Sequence, residues 1–341
     1  MNNTQVTLVR RPNGKPVADD FAVVETQLAP LEEGQARVKN LYVSMDAGFR
    51  NWMDEGSGDA VLPAMPIGKA VMGLILGRIV ESKNADIPVD RIIMARLAWE
   101  EYSTVDDDDW LVTIEDEHAH PLSFHLGILG DTGMSAYFGM TDIGKPGPGD
   151  TVLISAAGGA VGSVAGQIAK MRGARVIGLA GSQQKCERLE AELGYDLGLN
   201  YKDTALADQL AAACPDGINV YFDNVGGPLL ETVLDNIAPG ARIPFCGAVA
   251  DYAREGSSAE AAHGPSNLFN LVKQSATLQG FMTHMQLDRY PEAREHLSQW
   301  IASGEVKNHE AMYEGVAMCG VAFSDMFAGK NFGKTVVHVA D

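Results

Sequence analysis

The sequence has 341 residues, of which 46% are hydrophobic, and this is enough chain for two ordinary domains with substantial cores. It carries 26 Lys and Arg residues against 45 Asp and Glu residues, and the resulting net charge of -19 disfavours nucleic acid and anionic membranes as partners. Any polyanionic ligand must therefore be bound by a few specifically placed cations.

Both the beginning of the chain and its cysteines bear on cellular location. The first residues lack a charged segment followed by an apolar one, and no run of about 18 apolar residues occurs anywhere in the sequence. The cysteines have neither the dense spacing of a disulfide framework nor the CxxC pairs of a zinc site. We therefore expect a cytoplasmic protein with no membrane association. All four cysteines lie in the second half: Cys186, Cys214, Cys246 and Cys319.

From Gln5 to about Val112, short segments rich in β-branched residues alternate with Gly, Pro and Asp, which predicts a mostly β domain. These segments are FAVVETQLA, GQARVKNLYVS, AVMGLILGRIVES and DRIIMARLAWEEYSTV. The acidic run at 106–110 predicts a solvated turn. After it, Pro121 predicts the start of a helix, and we expect this stretch to be the passage between two domains.

After KPGPGD (145–150) the pattern changes to apolar runs that begin roughly 20 to 30 residues apart, with helical stretches between them. This repeat predicts an α/β fold with a doubly wound parallel sheet over residues 131–305. The tail ends in the strand GKTVVHV, which we expect to return to the first domain. The predicted division is thus 1–130 completed by 306–341, and 131–305.

The segment SAAGGAVGSVAGQIAK (155–170) has the frame A-x-G-x-x-G on Ala157, Gly159 and Gly162. An apolar strand here enters a glycine-rich turn and then a helix of small residues. Small residues let the backbone approach a pyrophosphate, and the free amides of the helix start supply donors to it. The alternative is a tight turn without a ligand, but the position in the first repeated unit favours a dinucleotide site.

The second strand of this unit ends in GLAGSQQK, without the Asp or Glu that binds both ribose hydroxyls of NAD. Ser182 and Lys185 instead offer a hydroxyl and an ammonium where a 2'-phosphate would lie, which favours NADPH over NADH. The alternative is that Lys185 is a solvated helix residue. Asn224 and the stretch FCGAVADY (245–252) follow later strands, so both are candidates for cofactor contacts.

Two further groups of residues carry weaker indications of chemistry. Cys246 has no evident His partner, which disfavours a catalytic thiol. The segment HAHPLSFH places His118, His120 and His125 beside Glu117 without supporting thiolates, so we predict no metal site.

A set of motifs is spread in order along the chain: NLYVSMD, PLSFHLGILGDTGMSAYFG, AAGGAVGSVAGQIAK, GSQQK, NYK, FDNVGG, FCGAVADY and GKNFGKTVV. Together they resemble the zinc-independent medium-chain dehydrogenases/reductases of the leukotriene hydroxydehydrogenase/prostaglandin reductase type, whose relatives include plant alkenal double-bond reductases and bacterial curcumin reductases. The resemblance covers nearly the whole chain. It implies an N-terminal GroES-like β domain, a Rossmann domain, NADPH as cofactor, and reduction of carbon-carbon double bonds conjugated to a carbonyl. Members are commonly homodimers.

The resemblance also implies site residues, carried over by motif position. Around the pyrophosphate and the adenosine phosphate these are Gly159, Ala160, Val161, Gly162, Lys185 and Tyr201. Towards the nicotinamide they are Asn224, Cys246, Gly247, Ala248, Tyr252, Phe281, Met282, Thr283 and Asn331. Two tyrosines of plant relatives are replaced by Gly48 and Leu287, which predicts a roomier and less polar substrate pocket. Zinc-dependent members need cysteine ligands in the N-terminal half, and this half has none.

The reaction implied by the resemblance delivers hydride to the β-carbon of an enone or enal, so negative charge develops on the carbonyl oxygen. Donors to that oxygen must come from the protein, the cofactor ribose or water, and Tyr252 is the leading protein candidate. A proton then reaches the α-carbon from a similar source. A quinone reductase of the same superfamily is the nearest alternative. An alcohol dehydrogenase is a third possibility, which is disfavoured because the metal ligands of that class are missing from this sequence. A non-catalytic NADPH-binding protein is the alternative from a different functional class.

Overall fold

The computed structural model of the protein describes residues 2–58, 62–115, 119–252 and 264–340, and these carry three sheets. The predicted α/β architecture is confirmed, with an N-terminal β domain and a parallel sheet of the Rossmann type. No helix in the described part of the chain is long and apolar enough to cross a membrane.

The N-terminal β domain is built from a two-stranded and a seven-stranded sheet. The larger sheet has the order β14-β15-β3-β4-β5-β7, with β6 also paired to β3. The last two strands of the chain therefore complete the sheet begun by the early strands, as the GKTVVHV segment predicts. The strands are β1 (Asn2–Leu8), β2 (Phe21–Gln27), β3 (Ala36–Ser44), β4 (Met72–Ser82), β5 (Ile92–Ala98), β6 (Tyr102–Val105), β7 (Leu111–Thr113), β14 (Glu310–Glu314) and β15 (Lys334–His338).

Aromatic side chains from distant parts of the chain form the centre of this domain's core. Trp99 lies 5.5 Å from both Phe21 and Phe323 between ring centroids, and Phe323 comes from a helix near the C-terminus. Gly73 makes room for the indole, because a Cβ at this glycine would lie 2.5 Å from Trp99 Nε1. Burial of these rings fixes the C-terminal helix on the N-terminal sheet.

The six-stranded parallel sheet has the order β10-β9-β8-β11-β12-β13. Counted from β8, this is the strand order of doubly wound dinucleotide-binding sheets. Successive strands are added on one side of β8 as far as β10 and on its other side from β11 onwards, so the strand order reverses between β8 and β11 while all strands stay parallel. Ligands of such sheets bind at the carboxyl ends of the strands beside this reversal. The strands are β8 (Thr151–Ile154), β9 (Arg175–Ala180), β10 (Leu197–Asn200), β11 (Ile218–Phe222), β12 (Ile237–Phe245) and β13 (Thr277–Gly280).

Helices cover both faces of the parallel sheet, and short helices connect it to the β domain. The α-helices are α1 (Asp131–Phe138), α2 (Ala160–Met171), α3 (Gln183–Leu193), α4 (Leu206–Ala213), α5 (Gly227–Leu234), α6 (Val249–Tyr252), α7 (Phe269–Lys273), α8 (Tyr290–Ser303) and α9 (Cys319–Phe327). The 3-10 helices are Ala18–Asp20, Ala47–Met53, Leu122–Leu126, Thr283–Arg289 and Val316–Met318, and Gly139–Gly144 is a π-helical turn.

The helix expected after Pro121 is present but short. The 3-10 helix Leu122–Leu126 starts directly after Pro121, and α1 begins separately at Asp131. Glycines separate the two elements: a Cβ at Gly130 would lie 2.2 Å from the carbonyl oxygen of His125. The chain therefore folds back tightly on itself before α1, and helical spacing of apolar residues does not reveal such a turn.

Candidate functional site

The glycine-rich turn joins β8 to α2 at the carboxyl edge of the parallel sheet. A Cβ at Gly162 would lie 2.4 Å from the carbonyl oxygen of Ala156, and one at Gly159 would lie 3.1 Å from the same oxygen. Glycine at 162 thus lets α2 start directly against the turn. The first turn of α2 has no intrahelical acceptors for its amides, so the amides of Ala160, Val161 and Gly162, at the positive end of the helix dipole, fit a pyrophosphate.

Ser182 and Lys185 lie together at the end of the second strand, as the spacing predicts. Ser182 caps α3, and its hydroxyl accepts a hydrogen bond from the backbone amide of Lys185 at 3.3 Å. The side chain of Lys185 extends towards the glycine turn, since its Cδ would be 3.9 Å from a Cβ at Gly158. A hydroxyl and an ammonium therefore lie next to the candidate pyrophosphate site.

Lys185 belongs to a cluster of three cations. Burial lowers the pKa of Lys185, and repulsion from the charges of Lys202 and Arg188 lowers it further. The Arg188 guanidinium also donates two hydrogen bonds to the Glu192 carboxylate, at 2.6 and 2.9 Å. A concentration of positive charge in a chain of net charge -19 fits an anionic group, and a 2'-phosphate matches its position.

Sequence reasoning missed Lys202 and Arg188 as members of this pocket. Arg188 is three residues beyond Lys185 on α3, a spacing that places both on one helix face. Lys202 directly follows Tyr201 after β10, and its ammonium lies 5.9 Å from the Tyr201 ring centroid. Tyr201 itself lies at the pocket, because its hydroxyl would be 3.2 Å from a Cβ at Gly181.

The segment 331–333 reaches the glycine turn from the C-terminal end of the chain. The amide of Gly333 donates to the carbonyl of Gly158 at 2.8 Å, and the Phe332 ring lies 3.2 Å from the position of a Gly158 Cβ. The Asn331 amide group donates to the Gly333 carbonyl at 3.0 Å. Asn331 is thus placed beside the candidate cofactor site.

Asn224 and Cys246 lie where β11 and β12 end, on the other side of the strand reversal. The Asn224 side chain donates to the carbonyl of Ser155 at 2.8 Å, and its backbone amide donates to the Ser155 hydroxyl at 2.8 Å. Burial raises the pKa of the Cys246 thiol to about 12. A thiolate is therefore disfavoured at this position.

Asp223 is a buried carboxyl under this crevice that sequence reasoning did not single out. It accepts hydrogen bonds from the hydroxyls of Ser155 at 3.0 Å and Tyr221 at 2.8 Å, and from the amides of Val225 and Gly226. Burial raises the pKa of Asp223. These bonds tie the turn that carries Asn224 to the end of β8.

Tyr252 ends the short helix α6 and lies close to the backbone of 247–248. Its hydroxyl accepts a bond of 3.4 Å from the amide of Ala248, and it would be 3.3 Å from a Cβ at Gly247. Burial raises the pKa of the Tyr252 phenol, with smaller effects from Cys246 and Asp251. The phenol therefore stays protonated at neutral pH and can donate a hydrogen bond or a proton.

Helix α6 packs against the 3-10 helix Ala47–Met53 of the β domain, which contains Gly48. A Cβ at Gly48 would meet no atom within 4 Å, and its φ is not positive, so neither packing nor backbone conformation requires glycine there. A side chain could therefore be accommodated at Gly48, and the roomier, less polar substrate pocket stays a prediction. Leu287, the second replaced position, is 55% exposed.

The predicted contacts at 281–283 follow β13 and differ in placement. Phe281 packs edge-on against Phe222 at the end of β11, with ring centroids 6.5 Å apart. Met282 is exposed, and Thr283 hydrogen-bonds the phenol of Tyr290. The structure therefore places Phe281 against the end of β11, and all three residues stay predicted cofactor contacts.

The expectation of no metal site rests partly on residues outside the described ones, since Glu117 and His118 are not among them. His120 contacts the Ser298 hydroxyl at 2.6 Å and stacks on Phe124. Within the described ranges no group of three or more His, Cys, Asp or Glu residues could hold a metal ion.

Comparison with known proteins gives matches over nearly the whole chain. Residues 4–113 match a family model described as the N-terminal domain of oxidoreductase, and residues 160–301 match one described as zinc-binding dehydrogenase. The chain is 35% identical to the NADPH-dependent curcumin reductase of Escherichia coli, covering 99% of this chain and 97% of the relative. It is also 35% identical to the NADP(+)-dependent 2-alkenal reductase of Nicotiana tabacum, covering 100% and 98%.

Among solved structures, the NADPH complex of CurA from Vibrio vulnificus superposes with a TM-score of 0.88. The two chains are 33% identical, and the match covers 99% of each.

Proposed function

We propose that this chain, which belongs to the zinc-independent medium-chain dehydrogenases/reductases of the alkenal reductase type, reduces the carbon-carbon double bond of α,β-unsaturated ketones and aldehydes. As a member of this family it is an NADP-dependent oxidoreductase with NADPH as its cofactor. The observation that carries the proposal is the position of the Tyr252 phenol, which lies beside the backbone of 247–248 after the crevice residue Cys246, on a helix packed against the 3-10 helix that contains Gly48.

The described residues fit NADPH at two places. The glycine turn and the start of α2 offer backbone amides to a pyrophosphate, and the position of Gly162 leaves no room for a larger side chain. Ser182, Lys185 and Lys202 offer a hydroxyl and two ammonium groups to a 2'-phosphate. When bound, NADPH supplies the hydride for the reduction.

The remaining chemistry falls to the chain's own groups. Reduction at the β-carbon places negative charge on the substrate carbonyl oxygen, and a neutral phenol is a suitable donor to that oxygen. Tyr252 has a raised pKa and therefore keeps its proton until the charge develops. Asn224 is held by two hydrogen bonds to Ser155, so the crevice beside this phenol has a fixed wall.

The test is the loss of NADPH absorbance with purified protein and four acceptors: an enal, an aryl enone, a quinone and a simple ketone, each repeated with NADH. We expect oxidation with the enal and the enone only, with saturated carbonyl products identified by mass spectrometry. Oxidation with the quinone alone would replace the proposal by a quinone reductase, and tight NADPH binding without turnover would indicate a non-catalytic binding protein.

We also propose a homodimer joined at the edge strand β13. Apolar side chains around this edge are exposed, and an uncovered sheet edge favours pairing with another strand. They are Leu268, Phe269, Val272, Met282, Met285 and Leu287. Light scattering of the wild type and of Phe269→Glu tests this: we expect a dimer that the substitution converts to monomer, and a monomeric wild type contradicts it.

The predicted division into 1–130 with 306–341, and 131–305, is likewise proposed. It is supported by the pairing of β15 with β3 and by the parallel sheet formed from β8 to β13.

A cytoplasmic location is proposed because the four cysteines are free thiols, and a reducing compartment keeps thiols in this state. Fractionation of cells that express the tagged chain tests the location.

A further inference from the structure

Lys334, the first residue of β15, is a buried cation that the proposed chemistry does not use. Its side chain is 3% exposed, and its ammonium donates to the Met45 carbonyl at 2.8 Å and to the Asp46 carboxylate at 2.6 Å. A charge removed from water must be compensated by partners, and here both partners belong to one short segment. The ammonium therefore holds residues 45–46 together with the backbone bond from the Met45 amide to the Thr335 carbonyl at 3.1 Å.

Those residues lead directly into the 3-10 helix Ala47–Met53. Asp46 is the residue before its first turn, and its second carboxylate oxygen accepts a bond from the Ser44 hydroxyl at 2.5 Å. The helix packs against α6, which carries Tyr252, and it contains Gly48. Lys334 thus contacts the segment with which the β-domain wall of the candidate substrate pocket begins.

Gly333, the residue before Lys334, contacts the glycine turn of the candidate cofactor site. Gly333 donates to the Gly158 carbonyl at 2.8 Å and forms an isolated parallel bridge with Gly159. Gly333 has a φ of 79°, and a Cβ there would lie 1.9 Å from the His309 carbonyl oxygen. Its position is therefore tightly determined, and two consecutive residues connect the glycine turn to the Ala47–Met53 helix.

We propose that Lys334 is a positioning residue that couples the glycine turn to the Ala47–Met53 helix. Occupation of the turn by NADPH restricts Gly333, and the Lys334 ion pair transmits this restriction to the helix that borders the substrate. The substrate part of this inference rests on the proposed function. The coupling itself is independent of which acceptor the enzyme reduces.

Hydrogen exchange of the full-length protein with and without NADPH tests the coupling directly. In the wild type we expect NADPH to slow exchange at 158–163 and also at 47–53, the latter by at least about threefold. Lys334→Met should keep the first effect and lose the second. The matched control is Lys330→Met, because Lys330 pairs with Asp325 at 2.6 Å but is 65% exposed, and it should behave as the wild type.

Kinetics distinguish positioning from a loss of folded protein. For Lys334→Met we expect KM for the enone to rise about tenfold, while Kd for NADPH changes less than about twofold. A merely structural defect lowers the active fraction, which reduces kcat and leaves KM unchanged. If Lys334→Met does not fold, Asp46→Asn serves the same tests, because Asp46 is partly exposed and the amide retains an acceptor.

Two exchange results overturn the coupling: no effect of NADPH on 47–53 in the wild type, or an undiminished effect in the variant. A wild type that reduces no acceptor overturns the proposed function instead, and the exchange experiment still decides the coupling.

Discussion

Replacement of Lys185 by alanine tests the cofactor pocket most directly, because NADPH and NADH differ only in the 2'-phosphate. A hydrogen bond to a charged partner contributes about 1.5 to 3 kcal/mol, which corresponds to about 10- to 100-fold in affinity. Lys202 and Arg188 remain in the variant, and removal of Lys185 relieves the repulsion that each of them has with Lys185. We therefore expect Kd for NADPH to rise at the lower end, by about 10- to 30-fold.

The assay is titration of intrinsic fluorescence with NADPH and with NADH at fixed ionic strength, since exposed charges are screened by salt. Kd for NADH should change less than about twofold, because NADH has no 2'-phosphate with which Lys185 could make a contact. Lys170→Ala is the matched control: this lysine lies on α2 and pairs with Asp196 at 2.7 Å. The double variant with Lys202→Ala should weaken NADPH binding further.

Equal weakening of NADPH and NADH by Lys185→Ala would refute the reasoning, because it would indicate a folding defect or a role unrelated to the phosphate. An unchanged Kd for NADPH would assign the phosphate to another position.

Four further outcomes follow from the site. The pKa of Lys185 is lowered in the free enzyme, and a bound phosphate raises it. NADPH affinity should therefore decrease as the pH rises from the pKa of Lys185 in the free enzyme to its pKa in the complex, whereas NADH affinity should not. Parallel pH titrations of the two affinities check this. Gly162→Val should abolish NADPH binding, measured by calorimetry, because even a Cβ lies 2.4 Å from the Ala156 carbonyl. Cys246→Ser should retain turnover within about threefold, since the thiol is protonated, and a complete loss in the NADPH assay would contradict this. Tyr252→Phe should lower kcat by about 100-fold or more, and unchanged kcat would remove the phenol from the chemistry.

The sequence identified the parts of the site that depend on local order along the chain. A strand, a glycine turn and a helix of small residues follow one another from Thr151 to Met171, and this succession alone predicts the pyrophosphate site. The absence of an acidic residue after β9 and the presence of Ser182 and Lys185 are likewise local. The α/β fold and NADPH as cofactor were predicted on this basis, the family was predicted from the resemblance of motifs along nearly the whole chain, and all three are confirmed. The individual site residues stay predictions.

Other features depend on contacts between residues far apart in the sequence, and only the tertiary structure decided them. The sequence analysis did not single out Lys334, yet it is buried against Asp46, 288 positions away. It did not single out Asp223 either, whose carboxyl accepts hydrogen bonds from Ser155 and Tyr221. The physical reason is the same in each case: burial and charge pairing depend on which segments the fold brings together, whereas periodicity and turn residues report only the conformation of neighbouring residues.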